Sequence, residues 1–135
     1  MPRYVCLLGL IVLVTSSSAS LAADQHLACR FSGTSCNTCD KSDDRAIERT
    51  LTFYLDDTNK QLVPEGGAVV SAHTNSYSEM EVKANISINS VPESGPAQIV
   101  IDRVTGTAVL TAMLVPAGID IETGDCREVA PPSTQ

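Results

Sequence analysis

A β-hairpin pattern in the second half of the sequence constrains the fold of this chain most strongly. Two runs rich in β-branched and aliphatic residues, 98–103 and 107–114, flank a short turn. Gly106 ends that turn, at the position of a three-residue hairpin loop that favours a left-handed backbone. This spacing predicts that Ile101 lies opposite Val109. Both faces of the hairpin are apolar, so we expect it inside a sheet and not at an edge.

Other segments alternate between apolar and polar residues, which is typical of strands with one buried face. The clearest alternation covers residues 80–89, and another covers 46–55. Near the C-terminus, 119–121 predicts a short strand and 125–127 a closing segment. The sequence therefore predicts an all-β domain, an antiparallel meander of seven or eight strands that forms a small barrel or a sandwich. The expected core residues are Leu51, Phe53, Leu55, Ile86, Ile88, Ile99, Ile101 and Val109.

The first 22 residues have the composition of a secretory signal peptide. Arg3 precedes a ten-residue apolar run, 5–14, and small residues follow up to Ala22. This order predicts cleavage after Ala22 and export to the periplasm or the medium. The apolar run is short for a membrane span, although an uncleaved anchor remains an alternative. We expect a single β domain over 23–128 and a flexible tail over 129–135.

The charge of the mature chain excludes some partners. Cleavage removes one of the 9 basic residues and none of the 16 acidic ones, so the net charge becomes 8 − 16 = −8. An acidic surface without a basic cluster repels phosphate backbones, and nucleic acid is therefore not an expected partner. For the same reason, no association with an anionic membrane is expected after cleavage.

Four cysteines remain once Cys6 leaves with the signal peptide. An even number of cysteines in an exported chain predicts disulfides, and four cysteines allow three pairings. We favour Cys29 with Cys126, because the first and last strands of a closed meander are neighbours. Cys36 and Cys39 then pair within the polar loop that follows the first strand.

Two chemical alternatives involve the same cysteines. The spacing of His26, Cys29, Cys36 and Cys39 could supply four zinc ligands. The C-x-x-C spacing of Cys36 and Cys39 also matches redox enzymes, although no helix is expected to follow and lower the pKa of a thiol. If the protein is an enzyme, we expect its site to include this loop or His73, together with residues that are distant in sequence. No catalytic residue, cofactor or metal is assigned from the sequence.

Several short motifs occur in an order that resembles a known group of proteins. They are Leu27-Ala-Cys29 after the leader, the strand end Asp56-Asp-Thr-Asn-Lys60, the run 101–107, and Gly124-Asp-Cys126. In this order they resemble the small exported proteins of unknown function that are common in α-proteobacteria. The resemblance implies export, a β-meander and a terminal cystine, and it implies no activity. The C-x-x-C pair departs from that pattern. A weaker likeness is to periplasmic lysozyme inhibitors, whose serine-glycine loop signature is not recognisable here.

The functional prediction follows from the absence of recognisable catalytic motifs in the sequence. Serines occur in loops without a nucleophile elbow, and adjacent acidic pairs lie in turns where their side chains diverge. We therefore predict a non-enzymatic binding or interaction module, with an unknown protein or small molecule as its partner. The alternative is a small periplasmic enzyme, thiol-disulfide active or otherwise, that uses the Cys36/Cys39 loop.

Overall fold

The computed structural model describes residues 21, 24–35, 45–89, 94–115 and 118–131. The strands within these ranges form one antiparallel β-sheet. Its eight strands are β1 (His26–Ser35), β2 (Arg45–Asp56), β3 (Gln61–Glu65), β4 (Val69–Tyr77), β5 (Glu81–Asn89), β6 (Ser94–Asp102), β7 (Thr107–Leu114) and β8 (Gly118–Val129). There is no helix among the described residues. The predicted all-β meander is confirmed, with eight strands.

The sheet curls into a nearly closed barrel. Each strand pairs with the next in sequence except at β3 and β4, and β1 pairs with β8 along its whole length. At the seam between β3 and β4, the backbone N–H of Leu62 donates a hydrogen bond to the hydroxyl of Thr74 at 2.9 Å. Of the two architectures that the sequence left open, the structure therefore has the barrel.

The core fills the inside of this barrel. The interior of an eight-stranded barrel is just wide enough to be filled by side chains. Every second residue of a strand points inward and therefore becomes a core residue. Along β5 the even-numbered residues point inward and are buried, as the alternation predicted. Seven of the eight expected core residues are buried: Leu51, Phe53, Leu55, Ile86, Ile88, Ile99 and Ile101.

The prediction of Val109 as a core residue is wrong, because the hairpin has a different register. Ile101 pairs with Ala108 and not with Val109. A shift of one residue moves every side chain of a strand to the opposite face. Ala108 and Leu110 consequently enter the core, while Val109 is 41% exposed on the outside. The expectation that β6 and β7 lie inside the sheet is confirmed.

The turn chemistry explains the register. The Asp102 carboxylate accepts hydrogen bonds from the backbone N–H groups of Val104 and Thr105, at 2.9 and 3.1 Å. The N–H of Gly106 donates to the Asp102 carbonyl at 2.9 Å, which closes a four-residue loop instead of the predicted three. Gly106 has φ = 79°, so its expected left-handed conformation is confirmed. Asp102 thus caps its own turn and moves Arg103 out of the strand.

The last strand is longer than expected, and its burial pattern is inverted: acidic residues are buried and aliphatic ones are exposed. The predicted short strand and closing segment are parts of one strand, β8. Ile119 and Ile121 are 59% and 63% exposed, whereas Asp120 and Glu122 are fully buried. Cys126 points inward to its partner, and residues of the same parity in one strand share its face. The inward direction of Cys126 therefore also turns Asp120 and Glu122 into the barrel.

Hydrogen bonds close the end of the barrel where β1 begins. The buried guanidinium of Arg103 donates to the Ser78 carbonyl at 2.8 Å. The Arg103 carbonyl accepts a hydrogen bond from the N–H of Leu21 at 2.8 Å, and the Leu21 side chain lies in the core. The predicted signal peptide otherwise lies outside the described residues, as does the end of the predicted tail. Cleavage after Ala22 would remove Leu21 from the core.

Candidate functional site

A groove of about 630 Å³ crosses the outer face of β2, β1 and β8. Its volume is within the range of small-molecule sites. The three strands supply outward-facing side chains, and polar and apolar groups both contribute to the lining. The residues that line it are Ala28, Arg30, Phe31, Ser32, Glu48, Arg49, Thr50, Gly124, Asp125, Arg127 and Val129.

The floor of the groove depends on a close approach of two backbones. A Cβ atom on Gly124 would collide with the carbonyl oxygen of Arg30 in the neighbouring strand. Only glycine lets β8 lie this close to β1. Two residues further along β8, Cys126 forms a disulfide with Cys29, its direct cross-strand partner. The floor is therefore held by a backbone ladder and by a covalent bond.

Two exposed arginines distinguish this groove from the rest of an acidic surface. Arg30 pairs across the strands with Asp125, and Arg127 lies two residues beyond Asp125 on the same face. Diagonal neighbours of this kind have Cβ atoms about 7–8 Å apart, which long side chains can bridge. Among the described residues, neither arginine forms an ion pair. Both arginines line the groove and are therefore available to an anionic ligand there.

Carboxylates balance these charges. Glu48 and Asp125 also line the groove and are exposed. Thr50 is the cross-strand partner of Arg30, and Ser32 is that of Glu48. Their hydroxyls can both donate and accept hydrogen bonds. Besides Arg49, which is paired with Glu122, the groove thus offers two exposed cations, two exposed anions and two hydroxyls. This balance favours a ligand with a single negative charge over a polyanion.

A buried ion pair lies beneath the groove. Nε of Arg49 donates to Oε1 of Glu122 at 2.8 Å, and their side chains are 11% and 0% exposed. Glu122 reaches Arg49 past β1 because Gly33 lies in between. A Cβ atom on Gly33 would be only 2.8 Å from Cγ of Glu122. Arg49 also lines the groove, so the pair connects the groove with the barrel interior.

Asp120 is a second buried carboxylate at the same end of the barrel as Glu122. It is fully buried, and neither of its side-chain oxygens has a hydrogen-bond partner. Burying a carboxylate without a partner is unfavourable. The inverted pattern of β8 therefore reduces the stability of the isolated chain.

Another polar cluster holds together the turns at the opposite end. The hydroxyl of Tyr77 donates to Asp57 at 2.7 Å, and the guanidinium of Arg103 lies 5.2 Å from the centre of the Tyr77 ring. Burial and the hydrogen bond with Asp57 raise the pKa of Tyr77 far above its usual value. The same hydrogen bond lowers the pKa of Asp57. These contacts join the β2–β3 turn to β4 and to the β6–β7 turn, which is a structural role.

Two residues of the alternative zinc site, His26 and Cys29, have other partners in the structure. Cys29 is bonded to Cys126 and cannot act as a thiolate ligand. Nδ1 of His26 lies 2.7 Å from Oε1 of Glu65, and its ring packs against Tyr54. The four-ligand alternative is therefore wrong. The described residues contain no group of three or more His, Cys, Asp or Glu side chains that could hold a metal ion.

The other candidates from the sequence were the Cys36/Cys39 loop and His73. The predicted Cys36–Cys39 bridge lies outside the described residues. His73 is exposed on β4, where it pairs across the strands with Asn85. The sequence did not indicate the groove. Arg30 and Arg127 lie near opposite ends of the sequence and become neighbours only through the pairing of β1 with β8.

No family model matches this sequence, and neither the curated proteins nor the solved structures contain a significant match. The resemblance to exported α-proteobacterial proteins thus stays a prediction. Within the described part of the chain, no helix is long and apolar enough to cross a membrane.

Proposed function

We propose that this protein is an exported binding module that takes a small carboxylate-bearing ligand in the groove across β2, β1 and β8. The pair of exposed arginines, Arg30 and Arg127, carries the proposal. Guanidinium groups bind carboxylates through paired N–H donors, and both arginines lie on the lining of a ligand-sized groove. The disulfide below them is consistent with an oxidising compartment outside the cytoplasm.

The mixed charge of the lining supports a carboxylate over a phosphate. A phosphate carries more charge and would lie close to Glu48 and Asp125 as well as to the arginines. A single carboxylate can face Arg30 and Arg127 while the rest of the ligand contacts the hydroxyls of Ser32 and Thr50. Binding without chemical change agrees with a lining that has no nucleophile–base pair.

An NMR titration tests this proposal. The monocarboxylate 4-hydroxybutyrate is added to ¹⁵N-labelled protein, and the side-chain Nε–H signals of Arg30 and Arg127 are followed, with phosphate in a parallel titration. Saturable shifts of both signals are expected, with 4-hydroxybutyrate binding more tightly than phosphate. Arg30→Gln and Arg127→Gln should each weaken 4-hydroxybutyrate binding by about tenfold or more, the effect of losing one charge-assisted hydrogen bond.

Lys83→Gln is the matched control, because Lys83 is an exposed cation on β5, away from the groove. It should leave 4-hydroxybutyrate binding unchanged. Shifts that never saturate, or an equal loss in the Lys83 variant, would show general charge screening and refute the site. Tighter binding of phosphate would refute the carboxylate class.

A further inference from the structure

Three charged side chains of the groove lie along one diagonal of the sheet. Glu48 is paired with Ser32, the outward residue next to Arg30 in β1, so Glu48 and Arg30 are diagonal neighbours. Arg30 is paired with Asp125, and Arg127 is the next outward residue of β8, so the two arginines are diagonal neighbours as well. Such neighbours have Cβ atoms about 7–8 Å apart, within reach of long side chains. The order along the diagonal is therefore one carboxylate followed by two guanidinium groups.

The two exposed carboxylates of the groove differ in their surroundings. Asp125 lies beside both cations, because it is the cross-strand partner of Arg30 and is two residues from Arg127 on the same face of β8. Glu48 is exposed, and within the described part of the chain it has no hydrogen-bond or ion-pair partner. Glu48 therefore gives the groove a negative end, on the far side of Arg30 from Arg127.

The two hydroxyls of the lining flank this negative end. Ser32 is the cross-strand partner of Glu48, and Thr50 is two residues away on the same face of β2. One carboxylate and two hydroxyls together offer three groups that accept hydrogen bonds, and a primary ammonium group has three N–H donors. An ammonium group therefore suits this end of the groove both in its charge and in its number of hydrogen bonds.

We propose that the ligand of the groove is a zwitterion, an amino acid whose carboxylate faces the two arginines and whose ammonium group faces Glu48. This inference rests on the proposed function, because it takes the carboxylate site from it and adds the second charged group of the ligand. The positive and negative ends lie on different strands. An amino acid with several methylene groups between its charges can therefore contact both ends at once.

The charge balance supports a zwitterion over a simple carboxylate. The chain has 16 acidic and 9 basic residues, so a ligand with a net negative charge approaches against the net charge of the protein. A zwitterion has no net charge and avoids this cost. In the groove it pairs with charges of both signs, whereas a monocarboxylate leaves Glu48 without a partner. Complementarity of this kind provides specificity.

A comparison of 4-aminobutyrate with 4-hydroxybutyrate tests the proposal, because the two differ only in an ammonium group and a hydroxyl. Both are titrated into the ¹⁵N-labelled protein at neutral pH, where the ammonium group is protonated. We expect 4-aminobutyrate to bind at least about tenfold more tightly, the equivalent of one charge-assisted hydrogen bond. Glu48→Gln should remove this advantage, and 4-hydroxybutyrate should bind the variant at least as tightly as it binds the wild type.

Two further variants serve as controls. Glu79 is an exposed carboxylate in the β4–β5 turn, outside the groove, and Glu79→Gln should leave both affinities unchanged. Asp125→Asn removes a negative charge beside both arginines. It should tighten the binding of both ligands alike and preserve the advantage of 4-aminobutyrate. Circular dichroism shows whether each variant is folded.

The possible results separate this inference from the proposed function. If the wild type binds both ligands equally, or 4-hydroxybutyrate more tightly, the zwitterion is overturned and the carboxylate site stands. An advantage of 4-aminobutyrate that survives Glu48→Gln, or that is lost in Glu79→Gln or Asp125→Asn, would overturn the role of Glu48. If neither ligand shows saturable binding, the groove is not a carboxylate site, and both proposals fail.

Discussion

At the scale of single residues, the hydrogen bond from Tyr77 to Asp57 makes stability depend on pH. It lowers the pKa of Asp57 below 3.8, the value of an unperturbed aspartate. A carboxyl group with a lowered folded pKa stabilises the protein above its unfolded pKa, and this contribution is lost as the pH falls through the folded pKa. We expect acid to destabilise the protein over that range.

The variant Tyr77→Phe isolates this contribution. Without the hydroxyl, the pKa of Asp57 should move up toward 3.8, although Arg103 continues to lower it. The ¹³C shift of the Asp57 carboxyl, followed by NMR during an acid titration, measures this change. An unchanged Asp57 pKa in Tyr77→Phe would contradict the assignment.

Gly124 should tolerate no side chain, because its position lies against the backbone of Arg30. Gly124→Ala is expected to destabilise the protein by about 1–3 kcal/mol, since the two strands must move apart. Gly67→Ala is the matched control: a Cβ there has no atom within 4 Å, and the change should be within about 0.5 kcal/mol. Urea unfolding measures both. Equal effects would mean that β8 does not depend on the close contact.

At the scale of the strand, the register of the β6–β7 hairpin can be tested with two adjacent residues. Leu110 is fully buried, whereas Val109 is on the outside. Leu110→Ala should destabilise the protein by about 2–5 kcal/mol through the cavity it leaves, and Val109→Ala by no more than about 0.5 kcal/mol. Chemical unfolding distinguishes the two. The reverse order of effects would support the three-residue loop that the sequence predicted.

At the scale of the whole molecule, the Cys29–Cys126 bridge joins the two ends of the meander. The two cysteines are 97 residues apart in sequence. Closing a loop of that size is worth about 4–5 kcal/mol in the chain-entropy model. Cys126→Ala should therefore lower the melting temperature sharply, whereas the double variant Cys36→Ala/Cys39→Ala should hardly change it. A non-reduced peptide map that links Cys126 to Cys36 or Cys39 would contradict the pairing.

The whole barrel also responds to its N-terminal segment. Leu21 packs in the core and bonds to the Arg103 carbonyl. A chain that begins at Ala23 should therefore melt at a lower temperature than the full chain, and Leu21→Ala in the full chain should cost about 2–5 kcal/mol. Val104→Ala, at an exposed position, is the control. Equal melting temperatures of the long and short chains would show that Leu21 contributes no stability.

The sequence by itself determined the fold class and several of the strands of this protein. Alternation in β2 and β5 identified strands and their buried faces, because one side of each is apolar and the other polar. Gly106 located a turn through its left-handed backbone. The even number of cysteines after the predicted signal peptide indicated a covalent framework. All of these features depend on residues that are close in sequence, so local patterns can reveal them.

The tertiary structure alone decided which way β7 and β8 face. Both sides of β7 are apolar, so its own pattern cannot fix the register, and the capping of the turn by Asp102 does. The side-chain direction of β8 follows from Cys126, which must point at Cys29 on the paired strand β1. That contact places Ile121 outside and Glu122 inside, and it brings Arg30 beside Arg127. Contacts between the two ends of a chain leave no periodic signal in the sequence, and the groove depends on them.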